Sequence, residues 1–163
     1  MIELYRTKNE RVYEKLKCLL PEDAEIRKTE NGKPYTDGMH FSITHTGDTA
    51  LIAVSDLPVG IDAEIERERP FSSVLQRFTD REKSEIGENL TAFLKNWVVK
   101  EAYIKLIGGT LEHDLKELEY FRGQLFYGEK KTDCNLLLSS SGDLIFCVCS
   151  QGEIPLNFKI NTI

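Results

Sequence analysis

Short apolar runs, several of them alternating with polar residues, recur along much of the chain. Alternation with a period of two is typical of strands that bury one face. Turn-forming pairs such as Asn31-Gly32 and Gly47-Asp48 separate the runs. The pattern predicts strands over residues 40–44, 49–54, 59–65, 118–121, 124–127, 135–138 and 144–149.

Two longer segments have helical spacing instead. Residues 6–20 repeat valine and leucine on one face and end before Pro21. Residues 90–107 give the strongest helical pattern, which stops at Gly108. A further helical stretch begins at Pro70, and Thr79-Asp80-Arg81-Glu82 is a capping box that predicts the start of another helix. Strands grouped around a long helix indicate the α+β class.

Composition limits the classes of function. The 163 residues suit one domain or two small halves that share a core. A net charge of −6 argues against general nucleic-acid binding, which needs clustered lysine and arginine. No apolar run is long enough to cross a bilayer and no apolar signal core opens the chain, so we expect a cytoplasmic protein that does not bind membranes.

Four cysteines are present, and none has the C-x-x-C spacing of common zinc sites. Cys147 and Cys149 alternate with apolar residues, which places both on one side of a strand. Buried free thiols are the favoured interpretation, and a disulfide or a zinc site is the alternative.

Two carboxylates follow each other within one predicted strand. Asp62 and Glu64 are two residues apart, so both side chains point to the same face of the strand. Adjacent carboxylates repel unless a cation or solvent lies between them. The pair is therefore either a metal site or a solvated strand face.

The long helix carries a second charged group. Trp97, Glu101 and Lys105 are four residues apart and share one stripe, beside Lys100. A glutamate followed four residues later by a lysine is also an ordinary surface ion pair. The apolar neighbours of the stripe favour a position at the edge of a cleft.

A histidine lies at the end of a predicted strand, within Phe41-Ser42-Ile43-Thr44-His45-Thr46-Gly47. Two hydroxyl groups and a glycine adjoin it, and such a cluster can bind phosphate oxygens. A histidine at a turn can equally be structural or solvated.

Four motifs occur together in a characteristic order. They are Lys33-Pro34, Phe41-Ser42-Ile43-Thr44-His45-Thr46, Gly60-Ile61-Asp62-Ala63-Glu64 and Trp97-Val98-Val99-Lys100-Glu101-Ala102-Tyr103-Ile104-Lys105. With this set the chain resembles the 4′-phosphopantetheinyl transferases of the surfactin-synthetase-activating (Sfp) type. The match is good over about residues 30–110.

The resemblance implies a transferase that moves phosphopantetheine from coenzyme A to a serine of an apo acyl or peptidyl carrier protein. Adenosine 3′,5′-bisphosphate would be released. It also implies a magnesium ion held by Asp62, Glu64 and Glu101, and Mg²⁺ does prefer hard oxygen ligands shared with substrate phosphates. Asp62, Glu101 and Lys105 are accordingly the predicted catalytic residues.

Further roles follow from the resemblance. Lys100 and Lys105 would contact the pyrophosphate, and Thr44 and His45 would meet other phosphate groups of coenzyme A. Lys33 would lie at the adenosine 3′-phosphate end, and Arg6 is a further coenzyme A ligand. The base that deprotonates the carrier serine is either Glu101, directly or through a magnesium-bound water, or Glu82, whose capping-box role explains it equally well.

The implied fold is a pseudo-dimer of two similar α+β halves with coenzyme A between them. Residues 1–57 would form a shortened N-terminal half, since only 31 residues precede Gly32, and residues 58–163 would form the C-terminal half. The alternative function is a catalytically degenerate module that binds coenzyme A or a carrier protein. The sequence leaves open the natural carrier and whether the protein is a monomer or a homodimer.

Overall fold

The computed structural model describes residues 1–155 and 159–163, which form two main sheets, two smaller sheets and five helices. The strands are β1 (Ile2–Lys8), β2 (Arg27–Lys28), β3 (Pro34–Tyr35), β4 (His40–Thr46), β5 (Thr49–Ser55), β6 (Val59–Ile65), β7 (Leu118–Phe121), β8 (Gln124–Tyr127), β9 (Lys130–Lys131), β10 (Asn135–Ser141), β11 (Leu144–Ser150) and β12 (Ile160–Thr162). The helices are α1 (Val12–Leu19), α2 (Ser72–Leu75), α3 (Asp80–Ile86), α4 (Leu90–Ile107) and α5 (Leu111–Asp114).

The two main sheets come from different parts of the chain. The first sheet has the strand order β12-β1-β5-β4, in which only the β12–β1 pair is parallel. The second sheet has the order β10-β11-β6 and is antiparallel throughout. The β2–β3 hairpin and the three-stranded β7-β8-β9 sheet lie at the periphery. The step from β5 to β6 therefore takes the chain from one main sheet to the other.

Side chains point alternately to the two faces of each main sheet, and the buried ones form three hydrophobic cores. One face of the first sheet packs against one face of the second, with Leu4 and Leu51 meeting Ile61 and Phe146. The outer face of the first sheet packs on α1, and that of the second packs on α4. Each sheet thus has a helix on its outer face, and the predicted α+β class is confirmed.

Helix α4 buries side chains on several of its sides, because it packs against both the second sheet and the β7-β8-β9 sheet. Asn89 caps its first turn through the Ala92 amide, and Gly108 ends it in the left-handed conformation that favours glycine. Gly60 lets α4 approach β6 closely. A Cβ atom at this position would overlap the Ala102 carbonyl oxygen and the Leu106 backbone nitrogen.

Hydroxyl groups join the two main sheets at the β4–β6 junction. β6 is the edge strand of its sheet, so alternate amides along it have no ladder partner. The Ile61 amide donates to Ser42 Oγ at 3.1 Å, that of Ala63 to Thr44 Oγ1 at 3.3 Å and that of Ile65 to Thr46 Oγ1 at 3.0 Å. We call Ser42, Thr44 and Thr46 the hydroxyl row.

Most predicted elements are confirmed. Val59–Ile65 and Leu90–Ile107 have the predicted bounds, and the capping box of α3 is present with both reciprocal hydrogen bonds. All four cysteines are free; Cys147 and Cys149 are buried as expected, whereas Cys18 is exposed and Cys134 is half-buried. Across the described part of the chain, no helix is long and apolar enough to span a membrane.

The prediction of a helix over residues 6–20 is wrong at its start. Residues 6–8 belong to β1, and a short 3₁₀ turn spans Asn9–Arg11 before α1. β1 pairs with β5 along its whole length and buries Ile2 and Leu4. These tertiary contacts outweigh the helical spacing further along the segment.

Candidate functional site

Asp62 and Lys105 form the centre of a charged cluster between β6 and α4. Lys105 Nζ lies 2.7 Å from Asp62 Oδ1, and the Thr44 hydroxyl donates to the same oxygen at 2.9 Å. Asp62 is 6% exposed, whereas the Lys105 side chain is 29% exposed. Asp62 is therefore shielded from solvent, whereas Lys105 is partly accessible to it.

Two further carboxylates belong to this cluster. Burial raises the pKa of Glu101 to about 7, reinforced by the negative charges of Asp62 and Glu64 and opposed by Lys105. Glu64 accepts a hydrogen bond from Arg69 at 3.1 Å and lies 3.5 Å from the Thr46 hydroxyl. The three predicted metal ligands are thus brought into one electrostatic group.

The cluster supplies a donor set that suits magnesium, since all its ligand atoms are carboxylate oxygens. Within residues 1–155 and 159–163, however, no three histidine, cysteine or acidic side chains are already gathered as a metal site. Lys105 instead holds Asp62. The residues fit Mg²⁺ chemically, and Lys105 occupies only Oδ1 of the Asp62 carboxylate.

A cleft of about 340 Å³ opens beside the cluster. Partial burial and the nearby Lys105 charge lower the pKa of His45, which lies in its wall. The lining combines cations, one carboxylate and apolar side chains, among them Tyr13, Lys33, Phe41, His45, Glu101 and Lys105. Such a cleft suits an anionic ligand that also carries apolar groups.

The β2–β3 turn is fastened to the end of α4. Asn31 Nδ2 donates to the Gly108 carbonyl at 2.9 Å, and Lys33 Nζ donates to that of Leu106 at 3.1 Å. Burial lowers the pKa of Lys33. Because an ammonium group has three donors, Lys33 can keep this bond and still face a ligand in the cleft.

The structure contradicts the predicted pyrophosphate contact of Lys100. Its side chain is fully buried, Nζ lies 2.7 Å from Glu82 Oε2, and the Phe78 ring centroid is 3.9 Å away. Residues five apart on a helix point about 140° apart, so Lys100 faces the α3 side while Lys105 faces β6. Lys100 is a core residue.

Glu82 is enclosed in the same way. One of its oxygens accepts from the Thr79 amide and from Lys100, and the other accepts from the Tyr120 amide at 2.8 Å. With 1% exposure and both oxygens engaged, Glu82 has no route to a substrate hydroxyl. Of the two alternative roles, capping is the one that the geometry supports.

Thr44 and Arg6 also differ from their predicted positions. Thr44 is 3% exposed, and its hydroxyl is used by Ala63 and Asp62 rather than offered to a ligand. Arg6 lies on β1, two strands away from β4, and lines a separate hollow that shares no residue with the cleft. Neither residue belongs to the lining of the cleft.

Sequence reasoning missed the hydroxyl row and the Glu82–Lys100 pair. The spacing of Ser42, Thr44 and Thr46 did signal that they share one strand face. It could not show that this face meets the unpaired edge of β6. No signal in the sequence distinguishes Lys100 from Lys105 as the enclosed cation.

Comparison with known proteins identifies the family. The model of the 4′-phosphopantetheinyl transferase superfamily matches residues 58–144, which contain the acidic residues of the cluster. The chain is 36% identical over 93 residues to the 4′-phosphopantetheinyl transferase gsp of Aneurinibacillus migulanus, covering 53% of this chain and 39% of that protein. It is 37% identical over 107 residues to psf-1 of Bacillus pumilus, covering 59% and 45%.

A more distant relative shares the same region. The L-aminoadipate-semialdehyde dehydrogenase-phosphopantetheinyl transferase of Homo sapiens is 32% identical over 118 residues, covering 58% of this chain and 38% of that protein. The matched region spans less than half the length of each of these three relatives. Since the family model covers more than half of the 163 residues, the chain belongs to the 4′-phosphopantetheinyl transferase superfamily.

Proposed function

We propose that the protein transfers the 4′-phosphopantetheine group of coenzyme A to a serine of an apo acyl or peptidyl carrier protein, with Mg²⁺ as cofactor. The observation that carries this proposal is a cleft lined by Glu101, Lys105, Lys33 and His45, with Asp62 directly behind Lys105. The named activity of the relatives supports it.

The reaction makes and breaks one bond each at phosphorus. The serine Oγ forms a bond to the β-phosphorus of coenzyme A, and the bond to the bridging pyrophosphate oxygen breaks, releasing adenosine 3′,5′-bisphosphate. The serine gives up its proton, and the leaving phosphate takes up negative charge. Positioning and charge neutralisation dominate the catalysis of such transfers.

Each residue of the cluster has a proposed part in this reaction. Asp62, Glu64 and Glu101 would hold Mg²⁺, which when bound neutralises charge on the pyrophosphate. Lys105, which has donors to spare beyond its bond to Asp62, would contact a pyrophosphate oxygen. Glu101 is the proposed base, because it lines the cleft whereas Glu82 is enclosed.

Other residues of the cleft lining would hold the remaining phosphate groups. Lys33 and His45 line the cleft together with the backbone of the Gly32 turn. Lys33 and Lys105 are the lysines of the cleft, and a local group of cations is needed because the whole chain has a net charge of −6. The apolar residues Tyr13 and Phe41 offer surface for uncharged parts of the ligand.

The test is direct incubation of the protein with coenzyme A, Mg²⁺ and a panel of apo carrier proteins, followed by mass spectrometry. The proposal predicts the phosphopantetheine mass increment on at least one carrier, and its loss when the metal is chelated. Coenzyme A binding without the increment on any carrier would instead support the degenerate binding module.

A further inference from the structure

Thr44 makes two hydrogen bonds with unlike partners through one hydroxyl group. It accepts the Ala63 amide at 3.3 Å and donates to Asp62 Oδ1 at 2.9 Å. A hydroxyl has a single proton to give. Since the amide occupies its acceptor side, the proton is directed to the carboxylate, and burial at 3% exposure holds this arrangement away from water.

The rest of the hydroxyl row provides an internal contrast. Ser42 accepts the Ile61 amide at 3.1 Å, in the same manner as Thr44, but it makes no hydrogen bond to a carboxylate within the described residues. Thr46 accepts the Ile65 amide and lies 3.5 Å from Glu64, which is a weaker contact. All three residues join the sheets, and Thr44 alone is tightly bonded to the cluster.

Both donors to Asp62 end on the same oxygen. Thr44 and Lys105 contact Oδ1, and no donor from the part of the chain that the structure describes reaches Oδ2. A carboxylate held at one oxygen keeps the other available and fixed in direction. Partners behind a carboxylate commonly set the orientation and strength of its contacts in this way.

We infer that Thr44 is a positioning residue that orients the Asp62 carboxylate so that Oδ2 stays free to bind a cation beside Lys105. The consequence for catalysis rests on the proposed function, whereas the orientation of Asp62 does not. Thr44 therefore acts through Asp62 and has no contact with substrate of its own.

The first experiment measures Mg²⁺ affinity by calorimetry on protein saturated with coenzyme A. Thr44→Val keeps the shape but removes the hydroxyl, and we expect roughly 10- to 100-fold weaker Mg²⁺ binding, the usual loss for such partners. Thr44→Ser restores the hydroxyl and should bind within a few-fold of the wild type. Ser42→Ala, the matched control, removes an amide acceptor from the same row and should leave Mg²⁺ affinity unchanged while lowering the melting temperature.

The second experiment needs neither metal nor activity. A double-mutant cycle of Thr44→Val with Asp62→Ala, which removes the acceptor, should show by urea unfolding a coupling of roughly five-fold in the folding equilibrium constant, or about 1 kcal/mol. The same cycle built with Ser42→Ala should show none. A coupling that is absent for Thr44, or equal for Ser42, would overturn the inference, as would wild-type Mg²⁺ affinity in Thr44→Val.

The two proposals fail in different ways. A wild-type protein that transfers nothing to any carrier contradicts the proposed function, and the unfolding cycle still decides the role of Thr44. Conversely, a fully active Thr44→Val variant with no coupling to Asp62 removes the positioning role and leaves the transferase proposal intact.

Discussion

Helix α4 carries two lysine–carboxylate pairs of equal length in opposite surroundings. The Lys100–Glu82 and Lys105–Asp62 pairs both have an N–O distance of 2.7 Å. The first is fully buried, and both Glu82 oxygens are engaged by the protein. The second lies beside an open cleft, where Glu64 and Glu101 give the cluster an excess of negative charge.

The difference in surroundings indicates a structural role for the first pair and a functional role for the second. A buried pair whose atoms are all engaged resists change, because each partner would be left unpaired without the other. A partly open group with an excess of carboxylates can instead take up a cation or a charged ligand. The two lysines therefore require different tests even though they lie on one helix.

The sharpest test of the contrast replaces each lysine by methionine. Lys100→Met leaves the Glu82 carboxylate buried and unpaired, so we expect a loss of about 3–5 kcal/mol in the free energy of unfolding. Lys105→Met, the matched control, should lose no more than about 1–2 kcal/mol because its pair is partly solvated. Urea unfolding measures both, and equal losses would remove the distinction between the pairs.

The open cluster should also respond to pH. Because the pKa of Glu101 is raised from 4.5 to about 7, the folded protein binds the proton more tightly than the unfolded chain does. The resulting stability is fully present below pH 4.5 and is lost as the pH rises through 7. In metal-free protein, wild type should lose on the order of 2–3 kcal/mol relative to Glu101→Gln between these limits. Parallel pH profiles for the two proteins would contradict the raised pKa.

The approach of α4 to β6 gives a test of similar or smaller size. A methyl group at Gly60 would overlap the backbone of α4 at Ala102, so Gly60→Ala should cost about 1–3 kcal/mol and displace the helix. Since Glu101 and Lys105 move with the helix, transfer activity should fall further than stability alone explains. An active Gly60→Ala variant with wild-type stability would show that the close approach is dispensable.

The smallest effect concerns the two hydrogen bonds by which Asn31 and Lys33 join the β2–β3 turn to α4, which we call the clamp. Asn31→Ala removes one hydrogen bond to the Gly108 carbonyl, and Asn135→Ala removes a similar bond to that of Gly152, outside the cleft. Each should cost about 1 kcal/mol of stability or less. Only Asn31→Ala should weaken coenzyme A binding, by roughly five-fold, as measured by calorimetry. Equal affinities in the two variants would exclude a role for the clamp in binding.

Local patterns predicted the elements well where burial follows the periodicity of the chain. β6 and α4 have the predicted bounds because each keeps one kind of spacing from end to end. β1 was missed because its pairing with β5 decides its conformation, and pairing between distant strands leaves little trace in a short window. The same limit applies to the junction between β4 and β6.

The candidate site was predicted in part. Spacing placed Asp62 with Glu64 and Glu101 with Lys105, and the fold brings these residues together. Spacing could not tell which side of α4 faces the sheet, so Lys100 was assigned to the wrong environment. Thr44 was assigned to a coenzyme A phosphate, because its hydrogen-bond partner on β6 lies across a junction that only the fold creates.

The most direct test of the central claim is the rate of phosphopantetheine transfer by Asp62→Asn, measured by mass spectrometry of a carrier protein that the wild type modifies. The substitution removes a charge from the open cluster while keeping nearly the same shape. We expect the rate to fall by at least about 100-fold, as when a preorganised charge is removed from a reaction centre, with a melting temperature close to that of the wild type. A stable Asp62→Asn protein with the wild-type rate would contradict the assignment of this cluster as the reaction centre.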